Sequence, residues 1–251
     1  LSVDGPKSLH DAFRRDKGGK PTFDRVMRGR AFLQKYCVEH TILCAVHAAN
    51  AGHGGAVYRF FRDELNANVI QLTPIVERIH ENGVATNRVS DRSIAPKAFG
   101  AFLNEVFNEW VLHDVGRVHV QMFDVALAAW VGEPAGLCVF EETCGLGTAL
   151  EHNGDLYACD HFVDPEHRLG NIMHTSLRAL SSTQRQWAQG QAKRESLPRQ
   201  CRECPVRFAC NGGCPKDRFI ETTNGEPGLN YLCEGYTVYF QHIDRPMRMI
   251  I

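Results

Sequence analysis

Eight of the ten cysteines lie in the second half of the chain, and their spacing is typical of metal ligands. They follow the pattern Cys-x5-Cys-x14-Cys, then 41 residues, then Cys-x2-Cys-x5-Cys-x3-Cys, with 18 residues before the last cysteine. A [4Fe–4S] cluster takes one thiolate on each iron, so eight cysteines match two clusters. The pattern therefore predicts a redox or radical protein. The eight are Cys138, Cys144, Cys159, Cys201, Cys204, Cys210, Cys214 and Cys233.

Zinc and disulfides are the alternatives for these cysteines. Two zinc sites of four cysteines would fit the same number, but zinc ribbons usually carry two Cys-x-x-Cys knuckles and only one is present. Disulfides are typical of secreted proteins, and no secretion signal opens the sequence, so we expect a cytoplasmic protein. Cys37 and Cys44 fall on a predicted helix and a predicted strand and are interpreted as core residues.

The composition limits the class of protein. A chain of 251 residues, 43% of them apolar, can form one large domain or two smaller ones. Its 28 basic and 29 acidic residues nearly cancel, so a nucleic-acid partner is not expected. No apolar run approaches the roughly 18 residues of a membrane span, so a membrane partner is not expected either.

Helix and strand patterns alternate over residues 1–131, which is typical of βαβ units with a parallel sheet. Residues 1–3 are interpreted as the end of a strand already in progress. About three such units amount to half of a (β/α) barrel. The predicted helices are 22–36, 57–65 and 96–112, the predicted strands are 39–46 and 68–72, and a polar loop is predicted around 82–87.

The pattern changes near Gly132, after which Cys, Gly and Pro become frequent. Asn153-Gly154 predicts the turn of a hairpin whose first arm begins at Leu146. One amphipathic helix is predicted for 176–191. The segment 201–214 is too rich in turn residues for a regular element, so we expect metal ligation to organise it.

These residues resemble a known family. Cys159-Asp160 and Cys201-Arg-Glu-Cys204-Pro205 resemble the SPASM domain of radical S-adenosylmethionine enzymes. The segments that resemble the anaerobic sulfatase-maturating enzymes among them are 2–6 with 10–11, 71–78, 143–147 and 153–163. The resemblance covers nearly the whole chain.

The resemblance implies an α/β fold in three parts. They are a partial (β/α)6 radical S-adenosylmethionine barrel in 1–131, a small cysteine-rich SPASM domain with two auxiliary [4Fe–4S] clusters in 132–235, and a C-terminal tail in 236–251. The family motif Cys-x3-Cys-x2-Cys, which holds the cluster that cleaves S-adenosylmethionine, is absent from the sequence. We therefore expect a fragment of a longer enzyme rather than an inactive remnant, with a third [4Fe–4S] cluster in the missing N-terminal part.

The implied activity is anaerobic sulfatase maturation. A radical derived from S-adenosylmethionine removes a hydrogen from a Cys or Ser of a sulfatase, and the product is Cα-formylglycine. The implied partners are the sulfatase polypeptide and a reductant such as flavodoxin or ferredoxin. The alternatives are another SPASM-type peptide-modifying enzyme and a non-enzymatic iron–sulfur electron-transfer module.

The family also implies which cysteines share a cluster. Spacing alone would place Cys214 with Cys201, Cys204 and Cys210, whereas the resemblance places it in the other set. The implied sets are Cys138, Cys144, Cys159 and Cys214 for one auxiliary cluster, and Cys201, Cys204, Cys210 and Cys233 for the other.

Four further residues receive roles. Asp160 follows a cluster ligand and is the predicted general base, with burial expected to raise its pKa; the alternative is a turn-capping Asp. Ser2, at the carboxyl end of a strand, matches a position that contacts the S-adenosylmethionine carboxylate, and Arg14 could bind the same anion. Leu72 would pack on the adenine, or serve only as a core residue.

Overall fold

The computed structural model describes residues 1–145 and 147–251, and the chain divides into two compact units. The first unit comprises Leu1–Glu133 and Leu232–Ile251, and the second comprises Pro134–Tyr231. The boundaries predicted from sequence, after residues 131 and 235, lie two and four residues from these divisions. Leu146, in the first arm of the predicted hairpin, lies outside the described residues.

The first unit is built on a parallel sheet with the strand order β1-β2-β5. Leu43 of the first strand pairs with Gln71 of the second, and Ser2 forms a parallel bridge to Leu43 from the other side. The predicted parallel arrangement is confirmed, and residues 1–3 pair with the strand of Leu43 through an isolated parallel bridge. The strands are β1 (Ile42–Val46), β2 (Val69–Pro74) and β5 (His119–Val120).

The first unit is rich in helices. They are α1 (Lys7–Phe13), α2 (Phe23–Lys35), α3 (Gly54–Arg59), which continues into a π-helical turn at Phe60–Glu64, α4 (Pro96–His113), α5 (Gln121–Trp130) and α10 (Cys233–Ile250). The three helices predicted here correspond to α2, to α3 with its π-helical turn, and to α4. The sequence analysis missed α1, which is short, α5, which is apolar on most sides, and α10, which was predicted only as a C-terminal tail.

The polar loop predicted around 82–87 is wrong. β3 (Arg78–Glu81) and β4 (Val84–Val89) form an antiparallel hairpin there. Asn82 and Gly83 connect the strands with φ angles of 52° and 80°, which a two-residue turn of type I′ requires. No residue of β4 is fully buried, so no alternation of polarity marks it as a strand.

α10 packs against α4 through a contact between two glycines. A Cβ atom on Gly100 would lie 2.6 Å from the carbonyl oxygen of Gly235, and a Cβ atom on Gly235 would overlap the carbonyl oxygen of Pro96. The two backbones therefore approach more closely than any side chain allows. The residues of α10 that are buried around this contact include Tyr236, Tyr239, Phe240, Ile243 and Met247.

The second unit combines small antiparallel sheets with short helices. Its strands are β6 (Ala149–Leu150), β7 (Asp155–Tyr157) and β8 (Arg168–Asn171), in the order β6-β7-β8, with β9 (Ile220–Glu221) paired to β10 (Pro227–Leu229). Its α-helices are α6 (Leu177–Ser181), α7 (Gln184–Glu195), α8 (Arg199–Arg202) and α9 (Arg207–Cys210). The Asn153-Gly154 turn between β6 and β7 is confirmed, and Gly154 has a φ of 86°.

The single helix predicted for 176–191 is wrong, because α6 and α7 are separate. The hydroxyl of Ser176 accepts a hydrogen bond from the Ala179 N–H, and that of Thr183 accepts one from the Gln186 N–H. An N-cap residue has a non-helical backbone. Thr183 therefore begins a second helix at a point where polarity alone suggests that the first continues.

The contact between α4 and α10 predicts that Gly235→Ala destabilises the first unit. The new methyl group must displace the α4 backbone, at a cost of about 1–3 kcal/mol. Thermal unfolding followed by far-UV circular dichroism measures the loss. Gly29→Ala is the matched control: the site is open and lies within α2, so the change should be neutral or slightly stabilising. Equal midpoints for the two variants would contradict the packing described here.

Candidate functional site

Four cysteines of the second unit line one cavity of about 370 Å³. All four are free thiols. Cys214 lies with this set, although its spacing favoured a place beside Cys201. The structure thus brings together the set that the family resemblance implied, which is Cys138, Cys144, Cys159 and Cys214.

Helix α7 forms one wall of this cavity with polar rather than apolar residues. Its buried residues are Gln186, Gly190 and Lys193, and their spacing of four and three places them on one face. Each of them hydrogen-bonds main-chain atoms at or beside a cavity cysteine. α7 therefore positions three cysteine-bearing segments at once.

Two of these contacts hold the segments that carry Cys159 and Cys144. The Gln186 side-chain N–H donates to the carbonyl oxygen of Ala158 at 3.0 Å, immediately before Cys159. The Cys144 N–H donates to the carbonyl oxygen of Gly190 at 3.1 Å. A Cβ atom on Gly190 would lie 2.8 Å from the Cys144 carbonyl oxygen, so only glycine permits this approach.

The third contact holds the loop that carries Cys138. Lys193 is 1% exposed, and its Nζ donates to the carbonyl oxygens of Cys138 at 2.6 Å, Val139 at 2.9 Å and Glu141. Burial lowers the pKa of Lys193 to about 8, against the opposing influence of neighbouring thiols, of which Cys144 acts most strongly. A charged group thus lies directly against the main chain of the loop that carries Cys138.

The cavity thiols are weak acids in the absence of metal. Burial raises the pKa of Cys159 to about 12 and that of Cys214 to about 11. Both sulfurs therefore carry protons at neutral pH. Because a metal binds the thiolate, loading of this site must release those protons.

Asp160 and His161 lie at the mouth of the same cavity. The His161 N–H donates to the Cys159 sulfur at 3.4 Å, and its ring Nδ1 lies 3.4 Å from the Cys214 sulfur. The Cys159 thiol donates to Asp160 at 3.3 Å. This hydrogen bond lowers the pKa of Asp160 and outweighs partial burial, so the direction is opposite to the expected one.

The remaining cysteines of the metal pattern lie on separate elements. Cys201 belongs to α8 and Cys210 ends α9, and the Cys204 N–H donates to the carbonyl oxygen of Cys201 at 3.3 Å. The expectation that 201–214 lacks regular structure is therefore wrong for these two short helices. Cys233 is the first residue of α10, which belongs to the first unit.

In the first unit, Arg14 is engaged by a buried carboxylate close to Ser2. Asp4 is 1% exposed, and Arg14 donates to its two oxygens from Nε at 2.7 Å and from Nη2 at 3.1 Å. The Ala45 N–H donates to Asp4 Oδ1 at 2.9 Å, which links the first residues to β1. The Arg14 side chain is 39% exposed, so it also reaches solvent.

Asp4 keeps its charge although it is buried. Burial acts to raise the pKa of Asp4, but His47, Arg14 and the Ala45 N–H together outweigh it and lower the pKa to about 2. The His47 Nε2 lies 3.6 Å from the carboxylate. This anion therefore fixes the carboxyl end of the strand that Ser2 belongs to.

Leu72 lies on the buried face of β2. It is 4% exposed and pairs with the buried Cys44, whereas Gln71 and Thr73 lie on the opposite face, because strand residues alternate. Gln71 pairs with Leu43, which also bridges Ser2. Ser2 and Gln71 thus share one face of the sheet and the Leu72 side chain lies on the other.

The sequence analysis missed the residues that position the cysteines. Gln186, Gly190 and Lys193 carry no metal-ligand chemistry of their own. One signal was available: these residues share one face of a helix, at the spacing of four and three that is typical of a buried face. Asp4 gave no signal, since an Asp beside Gly5 and Pro6 is typical of an exposed turn.

The comparisons with known proteins first define a class. A sequence profile for SPASM, an iron–sulfur cluster-binding domain, matches residues 143–205. All of these residues fall in the second unit, the one that contains the four-cysteine cavity. The second unit therefore contains a segment that matches the SPASM domain, as the cysteine pattern indicated.

Relatives with named functions narrow this class. Over 97% of its length the chain is 46% identical to a serine-type anaerobic sulfatase-maturating enzyme of Bacteroides thetaiotaomicron. It is 33% identical to the serine-type enzyme of Klebsiella aerogenes and 29% identical to a cysteine-type enzyme of Clostridium perfringens. The chain is thus a homologue of the anaerobic sulfatase-maturating enzymes, and the resemblance is confirmed. It spans about three fifths of their length, namely 61%, 58% and 64%.

Solved structures agree with the sequence comparison. Native anSMEcpe with bound AdoMet and Cp18Cys peptide matches the chain with a TM-score of 0.87 and 28% identity. The match covers 100% of this chain and 68% of that one. Native anSMEcpe with bound AdoMet gives the same TM-score. A mixed α/β fold with a SPASM domain is therefore confirmed. Among the described residues, no helix is both long and apolar enough to cross a membrane.

The cavity suits an iron–sulfur cluster on its own chemistry. It offers four free thiols, which is the number of ligands that a [4Fe–4S] cluster takes. The buried ammonium of Lys193 contacts the main chain of Cys138, one of the lining cysteines, so the surroundings favour a group of negative charge. The hydrogen bonds from α7 place the ligand loops without any help from metal.

Gly190→Ala is expected to halve iron binding, because its methyl group must push the Cys144 backbone out of the cavity wall. Iron and sulfide are measured per chain after anaerobic reconstitution, with about eight irons expected before the change and about four after it. Gly147→Ala is the matched control, since that glycine also lines the cavity but has open space around it. Equal iron in both variants would contradict this role of Gly190.

Asp4→Asn is expected to remove a stability term that depends on pH. The pKa of about 2 lies below the unfolded value, so the stabilisation is complete above pH 4 and is lost as the pH falls towards 2. It amounts to about 2 kcal/mol at neutral pH. Urea unfolding measured between pH 2 and pH 7 should show a flatter profile for this variant. The exposed Asp91, changed to Asn, should leave the profile unaltered.

Proposed function

We propose that this chain serves anaerobic sulfatase maturation, the radical S-adenosylmethionine-dependent oxidation of a Cys or Ser of a sulfatase to Cα-formylglycine. The observation that carries the proposal is the cavity in which four thiols meet Asp160, in a chain 46% identical to a serine-type maturating enzyme. The sequence contains no Cys-x3-Cys-x2-Cys motif, so the activity belongs to a protein that also supplies this motif.

The two auxiliary clusters are assigned to the two implied cysteine sets. Cys138, Cys144, Cys159 and Cys214 would hold the first, and their common cavity supports this assignment. Cys201, Cys204 and Cys210 would hold the second together with Cys233. The clusters and S-adenosylmethionine would supply electron transfer and hydrogen-atom removal, while the residues of the chain bind, orient and deprotonate the substrate.

S-adenosylmethionine is assigned to the first unit, at the carboxyl end of its parallel strands. We propose that these strands belong to a partial (β/α)6 barrel, and barrel enzymes place their chemistry at this end. Ser2 and Arg14 would bind the carboxylate of the cofactor, and Asp4 would hold Arg14 in place. The Leu72 side chain is buried on the other face of the sheet. Leu72 would therefore contact the adenine through its main chain, next to Gln71.

Asp160 is the proposed general base. It lies at the cavity mouth next to a cluster ligand, where the oxidised residue of a bound peptide must come close to the electron acceptor. The Cys159 thiol that lowers the pKa of Asp160 cannot donate once it is a thiolate ligand. Asp160 would then be free to accept the proton of the substrate thiol or hydroxyl.

The remaining partners follow from the proposed reaction. The substrate is a sulfatase polypeptide, and a reductant such as flavodoxin or ferredoxin would supply the first electron. The near balance of 28 basic and 29 acidic residues gives no support to a nucleic-acid partner. A cytoplasmic location is proposed, because free thiols and iron–sulfur clusters need reducing surroundings.

Asp160→Asn tests the proposed function. In the longest reading frame that contains this chain, formylglycine formation on a sulfatase peptide should fall at least about 100-fold, because the substrate proton loses its acceptor. Mass spectrometry follows the peptide, and release of 5′-deoxyadenosine should continue. Asp164→Asn is the matched control, since Asp164 caps the turn at Pro165–His167 and Asn caps equally well.

Each competing function would give a different result. Formylglycine formation at an unchanged rate in Asp160→Asn would exclude this residue as the base. A crosslinked peptide in place of formylglycine would identify a different peptide-modifying enzyme. Bound iron without any cleavage of S-adenosylmethionine would identify an electron-transfer module.

A further inference from the structure

Two cations of the second unit, one buried and one half-buried, have no carboxylate partner anywhere in the ranges 1–145 and 147–251. They are Lys193 of α7 and Arg218, which follows the turn at Pro215–Asp217. Burying a charge without a counter-charge is unfavourable. Two such charges held close together therefore indicate that this part of the protein binds an anion.

The contacts of Lys193 show that it is an ammonium group. Its Nζ faces three carbonyl oxygens, those of Cys138, Val139 and Glu141. Three acceptors require three N–H donors, which only the charged form provides. The loop that carries Cys138 is thereby wrapped around one positive charge.

Arg218 performs the same task for the loop between Cys210 and Cys214. It donates to the carbonyl oxygens of Asn211 at 3.0 Å, Gly212 at 3.0 Å and Gly213 at 3.3 Å. This loop joins one cysteine of each implied cluster set. A single guanidinium thus fixes the main chain between ligands of two different clusters.

The two cations are also joined to each other. The Arg218 Nη1 donates to the carbonyl oxygen of Lys193 at 2.6 Å. Burial lowers the pKa of both cations, and thiols of both sets act in the opposite direction. These thiols are Cys138, Cys144 and Cys214 for Lys193, and Cys144, Cys201, Cys210 and Cys214 for Arg218. Lys193 thus holds the Cys138 loop of one set, and Arg218 holds the 211–213 loop that joins Cys210 of the other set to Cys214.

We propose that Lys193 and Arg218 are positioning residues that form one cationic bridge between the two auxiliary cluster sites. The bridge holds the ligand loops in place through main-chain carbonyl groups. Its positive charge stabilises the anionic clusters, and it does so most strongly in their reduced, more negative state. This inference rests on the proposed iron–sulfur function and adds residues that bind no iron themselves.

Four variants of the reconstituted protein test the bridge. Lys193→Met removes the charge and its donors, whereas Lys193→Arg keeps both and serves as the conservative rescue. Arg218→Lys keeps the charge but loses the fork of donors to the 211–213 loop. Arg194→Met is the matched control, because Arg194 is the next residue of α7 and its side chain is 42% exposed.

The measurements are iron per chain and the potential at which the auxiliary clusters are reduced, followed by electron paramagnetic resonance. For Lys193→Met, the ratio of reduced to oxidised cluster at a fixed potential should fall about tenfold, a shift of about 59 mV to more negative values. Lys193→Arg and Arg194→Met should keep the original potential. Arg218→Lys should lose iron from both sites, since its loop carries a ligand of each.

The outcomes separate this inference from the proposed function. If the unaltered protein binds no iron, the cluster assignment itself fails. If it binds about eight irons and Lys193→Met has the same potential, the bridge is refuted. The bridge is equally refuted if Lys193→Arg loses as much iron and potential as Lys193→Met, because shape rather than charge would then matter. Should Lys193→Met not fold, Arg218→Lys decides, and full iron in that variant overturns the inference.

Discussion

The second unit depends on one constraint: four sulfur atoms from distant parts of the chain must face a single cavity. Thiolates repel one another, and the loops that carry them have little apolar surface to bury. The chain meets the constraint with hydrogen bonds to main-chain carbonyl and N–H groups, donated and accepted along one face of α7. Because these bonds fix backbone rather than sulfur, the thiols remain available for metal. The face that would normally pack a hydrophobic core is used here to position ligands.

The first unit meets a comparable constraint by different means. The residues that approach S-adenosylmethionine in the proposed site lie at strand ends, where the chain leaves the sheet and would otherwise be poorly fixed. Asp4 and Arg14 tie this region to β1 through an ion pair with a buried carboxylate and an N–H contact. On the far side of the unit, the close approach of α4 and α10 gives the rigidity that a small parallel sheet lacks. Both arrangements place charged residues or glycines at sites where the composition alone would predict apolar side chains.

Much of the fold could be predicted from the sequence, because its main helices and parallel strands follow apolar periodicity. The failures have local causes. Thr183 caps a new helix within a continuous amphipathic pattern, and Asn82-Gly83 joins strands that bury almost nothing. For the candidate site, residue type revealed the cysteines. Spacing favoured a place for Cys214 beside Cys201, whereas the structure places it in the cavity with Cys138, Cys144 and Cys159, since sequence distance does not report which loops meet in space. Lys193 could not be predicted at all, because its role depends on three carbonyl oxygens that exist as a cluster only after folding.

The four cavity sulfurs differ in their access to solvent, and this difference has a consequence for damage by air. Cys214 is 9% exposed, whereas Cys138 lies on the surface. Oxidants attack accessible sulfur first. They convert it to sulfenic acid and then to higher oxidation states that cannot be reversed. Oxidation of these sulfurs should therefore start at the Cys138 loop of the second unit, and the buried Cys214 should survive it longest. A partner that covers the Cys138 loop would act as a shield as well as a binding surface.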